Sequence, residues 1–137
     1  MVILITGITS GFGKAMAARL SADGHKVYGT HRKATDRLPG VTYIQADAQH
    51  AEECEASVKQ VVEAEGRIDV FINNAGMGIG GPVEFATEEE IREQMDANFM
   101  GLVHFVTAVL PFMRKQGKGK IIAMSSIGGL MGLPFQG

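Results

Sequence analysis

The residues best suited to chemistry stand at the front of the chain. Thr6-Gly7-Ile8-Thr9-Ser10-Gly11-Phe12-Gly13 follows a short apolar run and leads directly into a stretch with helical spacing. Glycines in such a turn have separate tasks: one makes the tight turn, one lets backbone approach a pyrophosphate, and one allows helix to pack closely on strand. Free amides at the start of the following helix then face the phosphate charge. Glycines in a loop can be simple punctuation, but their place directly between a strand and a helix favours the phosphate-binding reading.

A turn of this kind works only on a scaffold of alternating strands and helices. Short apolar runs rich in β-branched residues occur at 2–5, 27–28, 41–44, 68–72 and 120–124. Residues 14–22 place Ala15, Ala18 and Leu20 on a compact small-residue face, and 51–64 place Cys54, Val58, Val61 and Val62 on another. Strand, helix and strand repeated in this way predict an α/β fold, a Rossmann-type doubly wound parallel sheet with helices on both faces. The expected spatial order is 3-2-1-4-5 with right-handed crossovers, and the chain reads as one domain over 1–137. Thr87-Glu88-Glu89-Glu90 is a capping box that opens a helical pattern running to about Gln116, with Gly101 and Pro111 expected to bend or break it. Its part 102–113 is apolar nearly all round and is expected to be buried on more than one side. Residues 34–39 are too short for a crossover helix and read as a turn or a single helical turn.

Composition excludes several function classes. A formal charge of −2 gives no electrostatic reason to bind nucleic acid or an anionic membrane. Cys54 is the only cysteine, which suits a reducing, cytoplasmic setting. The apolar run at 2–5 has no basic leader and is too short for a signal segment or a membrane span. His25, His31, His50 and His104 are scattered without metal-ligand spacing, so no metal is expected. Cys54, on the apolar face of its helix, reads as a buried core thiol.

The spacing of the first motif departs from the common G-x-G-x-x-G: three residues separate Gly7 from Gly11, and one separates Gly11 from Gly13. Further motifs follow in order. Asp47 comes after the third strand, Asn73-Asn74-Ala75-Gly76 after the fourth, Asn98 falls in the long helix, and Ser125-Ser126 ends the fifth strand. Taken singly, each has an ordinary reading as helix cap, turn, kinked-helix polar residue or strand-end hydrogen bond. Together they resemble the short-chain dehydrogenase/reductase family over the whole chain, with its T-G-x-x-x-G-x-G and N-N-A-G signatures. The resemblance implies a nicotinamide dinucleotide held by Gly7, Thr9, Ser10, Gly11, Phe12, Gly13, Arg32, Asp47, Ala48, Asn74, Ala75 and Gly76, with Asp47 hydrogen-bonded to the adenine. It also implies an active-site asparagine at Asn98 and the catalytic serine at Ser126.

The end of the second strand speaks to the cofactor. An NAD-preferring domain places an acid there for the ribose 2′-hydroxyl, whereas NADP needs a cation for the 2′-phosphate. The residues are Thr30-His31-Arg32-Lys33, with no acid. Arg32 offers a planar fork, Lys33 adds charge, and Ser10 can assist. The expected cofactor is therefore NADP, with NAD possible; the alternative is a solvated basic turn.

In the resembled family, a Tyr-x-x-x-Lys tyrosine passes the proton, the lysine lowers its pKa and holds the ribose, and the serine binds the substrate oxygen. Only Tyr28 and Tyr43 are present, and neither begins that motif. The family's tyrosine would fall just past Gly137. The expectation is an NADP-dependent oxidoreductase acting on a small-molecule alcohol or ketone, of which residues 1–137 are a catalytically incomplete portion, inactive alone. A non-catalytic dinucleotide-binding or regulatory module is the alternative, and Ser126 and Asn98 argue against it because a mere binder needs neither. No nucleic acid or membrane partner is expected, and a homo-oligomer is expected of the full-length protein.

Overall fold

The computed structural model describes residues 1–33, 37–132 and 134. Five strands, β1 (Val2–Thr6), β2 (Lys26–His31), β3 (Val41–Gln45), β4 (Val70–Asn73) and β5 (Lys120–Ala123), form one sheet in the order β3-β2-β1-β4-β5. Every pairing is parallel. The helices are α1 (Gly11–Ala22), α2 (Ala51–Glu65), α3 (Glu88–Met95) and α4 (Gly101–Gln116). The order and the α/β class are those read from the pattern. Residues 34–36 of the expected 34–39 turn lie outside the described residues.

The alternation of side chains along each strand divides the core in two. Val2, Leu4 and Phe71 point to a cluster with Val58 and Val61 of α2 and with Phe105, Val109 and Met113 of α4. Ile3, Ile5, Val27, Val70 and Ile72 face the other way, against Ile8 and Ala17 of α1. Strands β1 and β4 are buried along their whole length, as strands covered on both faces should be. Phe71 and Phe105 stack at 5.4 Å between ring centroids and tie α4 to the sheet.

Several boundaries differ from the sequence reading. Strand β2 runs on to His31 through Gly29, a residue that interrupts the β-branched pattern. Packing decides this: a Cβ at Gly29 would lie 2.1 Å from Ile8 Cδ1. Asn73 is the last residue of β4 rather than the first after it, and β5 stops at Ala123, before Ser125 and Ser126. The long helix does not break at Gly101 or Pro111. Its irregularity is a π-helical turn, Asp96–Met100, immediately before Gly101. Pro111 and Thr107, whose carbonyl loses its helical donor, are both exposed, so water can replace the lost bond.

By length and composition, 88–116 could cross a membrane. Here it works as a core helix instead, with Gly101, Phe105, Val109 and Met113 buried on one stripe. The sheet and α2 cover the helix from two directions, and the remaining side, including Val103, is exposed. All four residues of β5 are exposed as well.

The stack of Phe71 on Phe105 should dominate the α4 contact. Phe105→Ala is expected to lower unfolding free energy by about 3–5 kcal/mol, the usual cost of emptying a buried aromatic site. Urea denaturation followed by far-UV circular dichroism checks this, and a loss under about 1 kcal/mol would contradict the packing described.

Candidate functional site

The site begins where β1 ends. The Thr6 hydroxyl is fully buried and accepts the backbone amides of Asn74 and Ala75, both at 2.9 Å. It donates to Asn73 Oδ1 at 3.4 Å. From the other side, Asn74 Nδ2 donates to the carbonyls of Thr6 and Gly7 at 3.1 and 3.0 Å. Gly7 adopts φ +71°, and a Cβ on it would press within 2.9 Å of Ala75 Cα. Gly13 is tighter still: its Cβ would stand 2.1 Å from the Gly7 carbonyl oxygen and 2.4 Å from Asn74 Nδ2. The glycine-rich turn and the Asn73–Gly76 loop are therefore one interlocked unit.

A groove of about 880 Å³ opens above this unit. It is lined by Gly7, Thr9, Ser10, Gly11 and Phe12, by the β2 end from Thr30 to Lys33, by Asp47 and Ala48, and by Asn74, Ala75 and Gly76. Of the residues expected to hold a dinucleotide, only Gly13 is outside the lining, and its part is the close helix contact. Strands β2 and β3 lie to one side of β1, and β4 and β5 to the other, so the groove sits at the switch point of the sheet where α/β proteins bind ligands. These residues fit a dinucleotide: α1 starts at Gly11 with no side-chain cap on its free amides, there is no room for a side chain at Gly7 or Gly13, and two cations stand at the β2 end.

The loop carrying Asp47 and Ala48 is held by residues to which the motifs assign no role. The Asp47 amide donates to Glu53 Oε2 at 2.8 Å, and Asp47 Oδ1 accepts the Gln49 amide. The Asp47 amide, with His50 beside it, holds the Glu53 carboxyl below its ordinary pKa. The Ala48 carbonyl meets His104 Nδ1 at 3.0 Å and the Cys54 thiol at 3.5 Å. Burial, reinforced by Asp47 and Glu53, pushes that thiol up to about 12. Cys54 is thus an inert core thiol, as its helix position indicates. His104 is a distant sequence neighbour of Ala48, and no local signal could have paired them.

A second cavity, of about 1190 Å³, adjoins the groove and shares Phe12, Asn74, Ala75, Gly76 and Met77 with it. Asn98 and Ser126 both line it, together with the apolar side chains Ile79, Val83, Phe85, Ile91, Met95 and Met124. The Asn98 amide spans the Met77 backbone, accepting its N–H at 2.9 Å and donating to its carbonyl at 2.7 Å. Gln94 reaches the Ile79 amide at 3.0 Å in a similar way. The long helix therefore fixes the loop after β4 through side-chain amides. Ser126 Oγ accepts the Gly128 amide at 3.2 Å, which leaves its hydroxyl proton free to be donated. Tyr28 is committed elsewhere: its hydroxyl donates to Glu65 at 2.8 Å.

Comparison with known proteins agrees with this geometry. The family profile described as short chain dehydrogenase matches residues 1–137. A 3-ketodihydrosphingosine reductase from Bacteroides thetaiotaomicron is 53% identical over 136 residues, which span 99% of this chain and 51% of the relative. A crystal structure of a short-chain dehydrogenase from Streptomyces avermitilis superposes with a TM-score of 0.89 at 36% identity, covering 95% of this chain and 50% of that one. ElxO with NADP bound superposes with a TM-score of 0.91 at 26% identity, covering 98% and 59%. The chain spans about half the length of the curated relatives it matches.

Thr6→Val keeps the shape of the side chain and removes its oxygen. The amides of Asn74 and Ala75 would then be left without their acceptor, at a cost of about 1–3 kcal/mol. Chemical denaturation should show that loss, and amide exchange at Asn74 and Ala75 should accelerate; unchanged exchange there would mean that the hydroxyl does not hold the loop.

Proposed function

The chain belongs to the short-chain dehydrogenase family, and from that premise we propose that the whole protein is an NADP-dependent oxidoreductase interconverting an alcohol and a carbonyl. The observation that carries this reading is the convergence of two motif sets on adjoining spaces. One groove gathers the glycine-rich turn, Arg32, Asp47 and Asn74–Gly76, and the next cavity gathers Asn98 and Ser126.

The dinucleotide, when bound, supplies or accepts the hydride. What this chain contributes is position and polarity. The α1 N-terminus and the turn from Gly7 to Gly13 receive the pyrophosphate, with Thr9, Ser10, Gly11 and Phe12 along it. Asp47 and Ala48 receive the adenine end. Arg32 and Lys33 give the 2′-phosphate its counter-charge, with Ser10 assisting. NADP in the ElxO structure and NADP dependence in the name of a 3-hydroxy acid dehydrogenase from Shigella flexneri, 35% identical, support that preference.

Ser126 is the residue that would touch substrate, donating its hydroxyl proton to the reacting oxygen. Asn98 is a positioning residue: both ends of its amide are engaged by Met77, so it shapes the wall between cofactor and substrate. Delivery of the proton needs an acid of matched pKa within hydrogen-bond reach. Tyr28 and Tyr43 lie in strands β2 and β3, so we assign that acid to a part of the protein beyond residues 1–137. The apolar cavity wall and the 53% identity to a 3-ketodihydrosphingosine reductase support a substrate whose carbonyl is carried on a long apolar body. We place the protein in the cytoplasm, as a soluble enzyme and a homo-oligomer at full length.

Arg32→Ala should cut the preference for NADP over NAD by roughly ten- to a hundredfold, about 1–3 kcal/mol of charge-assisted hydrogen bonding. Calorimetric titration with each dinucleotide reads this directly, and equal or tighter NAD binding to the unsubstituted protein would overturn the cofactor assignment. In the whole protein, Ser126→Ala should lower kcat by about 10²–10³, as loss of one donor to a reacting oxygen does. NADPH absorbance with long-chain ketones is the assay. Near-normal turnover in the variant would remove Ser126 from the mechanism. Residues 1–137 alone should give no turnover in the same assay.

A further inference from the structure

The second strand ends on a histidine that neither the fold nor the proposed chemistry uses. His31 is 6% exposed and stands in the groove wall immediately before Arg32 and Lys33. Its Nδ1 is buried and has no hydrogen-bond partner among the described residues. A buried polar atom without a partner carries a desolvation cost that native proteins rarely leave unanswered. Its position is also the one where a Rossmann domain places the group that reads the 2′-substituent of the adenosine ribose.

We infer that His31 is a second determinant of cofactor choice: it takes a proton from solvent when a 2′-phosphorylated dinucleotide binds, and its charge then favours that phosphate over a bare hydroxyl. The inference rests on the NADP reading above and goes beyond it, because it makes the preference depend on pH. The groups that surround His31 are consistent with this. Tyr43 of β3 lies with its ring 5.7 Å away and tilted, and Arg37, over the same tyrosine ring, adds a cation. Arg32 and Lys33 follow in the chain, and Asp47 lines the groove after β3. On α1, whose buried residues are Gly13 and Ala17, the cations are Lys14 and Arg19, the latter paired with Asp23. Burial first, and then Arg37, lower the histidine's proton affinity below the ordinary value. The free protein at neutral pH therefore holds a neutral ring.

A phosphate monoester brings close to two negative charges into such a setting. The charged ring is then favoured, and the bound pKa rises above the free one. A group raised on binding contributes fully below its free pKa, and its contribution fades as pH climbs through the bound pKa. Preference for NADP over NAD should thus decline between pH 7 and pH 8, where the phosphate is already mostly the dianion, by at most about tenfold per pH unit for one proton. The phosphate's own titration acts in the opposite sense, since it binds as the dianion and releases a proton.

The test is calorimetric titration of the whole protein with NADP and with NAD at pH 6, 7 and 8, in buffers of differing ionisation enthalpy. At pH 7, where the phosphate is already mostly the dianion, net proton uptake with NADP and none with NAD is expected. His31→Gln should abolish the uptake, flatten the pH dependence, and leave the release due to the phosphate visible. His31→Asn guards against a misfolded glutamine variant, and the proton count on the unsubstituted protein needs no variant at all. NADP preferred equally at every pH, with no uptake that the variants lack, would overturn the role of His31 while leaving the NADP reading intact. NAD bound as tightly as NADP at every pH would overturn the NADP reading itself.

Discussion

One buried hydroxyl governs how the site is put together. Thr6 Oγ1 uses its full capacity, accepting two amides from the loop after β4 and donating to Asn73. A threonine hydroxyl has one proton and two lone pairs, so nothing is left over. Its burial means that water cannot take its place. Around that atom, Gly7 and Asn74 close to within backbone contact, and Gly13 brings α1 against them. The floor of the groove is thereby set by contacts between segments nearly seventy positions apart.

The rest of the site is hung from the long helical segment. Asn98 and Gln94 hold Met77 and Ile79, and His104 holds the Ala48 carbonyl on the other side of the same segment. The π-helical turn at Asp96–Met100 lies between these points and carries Asn98 itself. Extra turns of this type recur at functional positions because they redirect side chains without ending the helix. Phe71 and Phe105, stacked in the core below, keep the helix in register with β4. A shift of α4 would therefore move both the Asp47–Ala48 side of the groove and the cavity that contains Ser126.

Five residues shared by the groove and the cavity make them continuous. A ligand lying along the first extends naturally toward the second. The polar end at β2, with Arg32 and Lys33, suits phosphate, and the apolar lining around Ile79, Phe85 and Met95 suits a hydrocarbon body. Under the proposed function, this gradient of polarity would let one end discriminate charge and the other shape.

How much of this was legible beforehand depended on the range of the interaction. Local periodicity identified the strands, their alternation with helices a parallel sheet, and residue spacing the capping box of Thr87 and Glu90, both of whose arms are present. The spacing of Gly7, Gly11 and Gly13, and the order of Asp47, Asn74, Asn98 and Ser126, identified the family. These are properties of neighbouring residues or of motif order, and a chain read alone carries them. Continuation of β2 through Gly29, the unbroken helix at Pro111 and the use of His104 and Glu53 to fix the Asp47–Ala48 loop were decided only by the fold. Gly29 stays in its strand because Ile8 fills the space a side chain would need, and Pro111 is tolerated because its missing bond faces solvent. The unpartnered nitrogen of His31 belongs to the same class: whether a histidine is satisfied depends on what surrounds it in three dimensions, and the sequence states only that it is there.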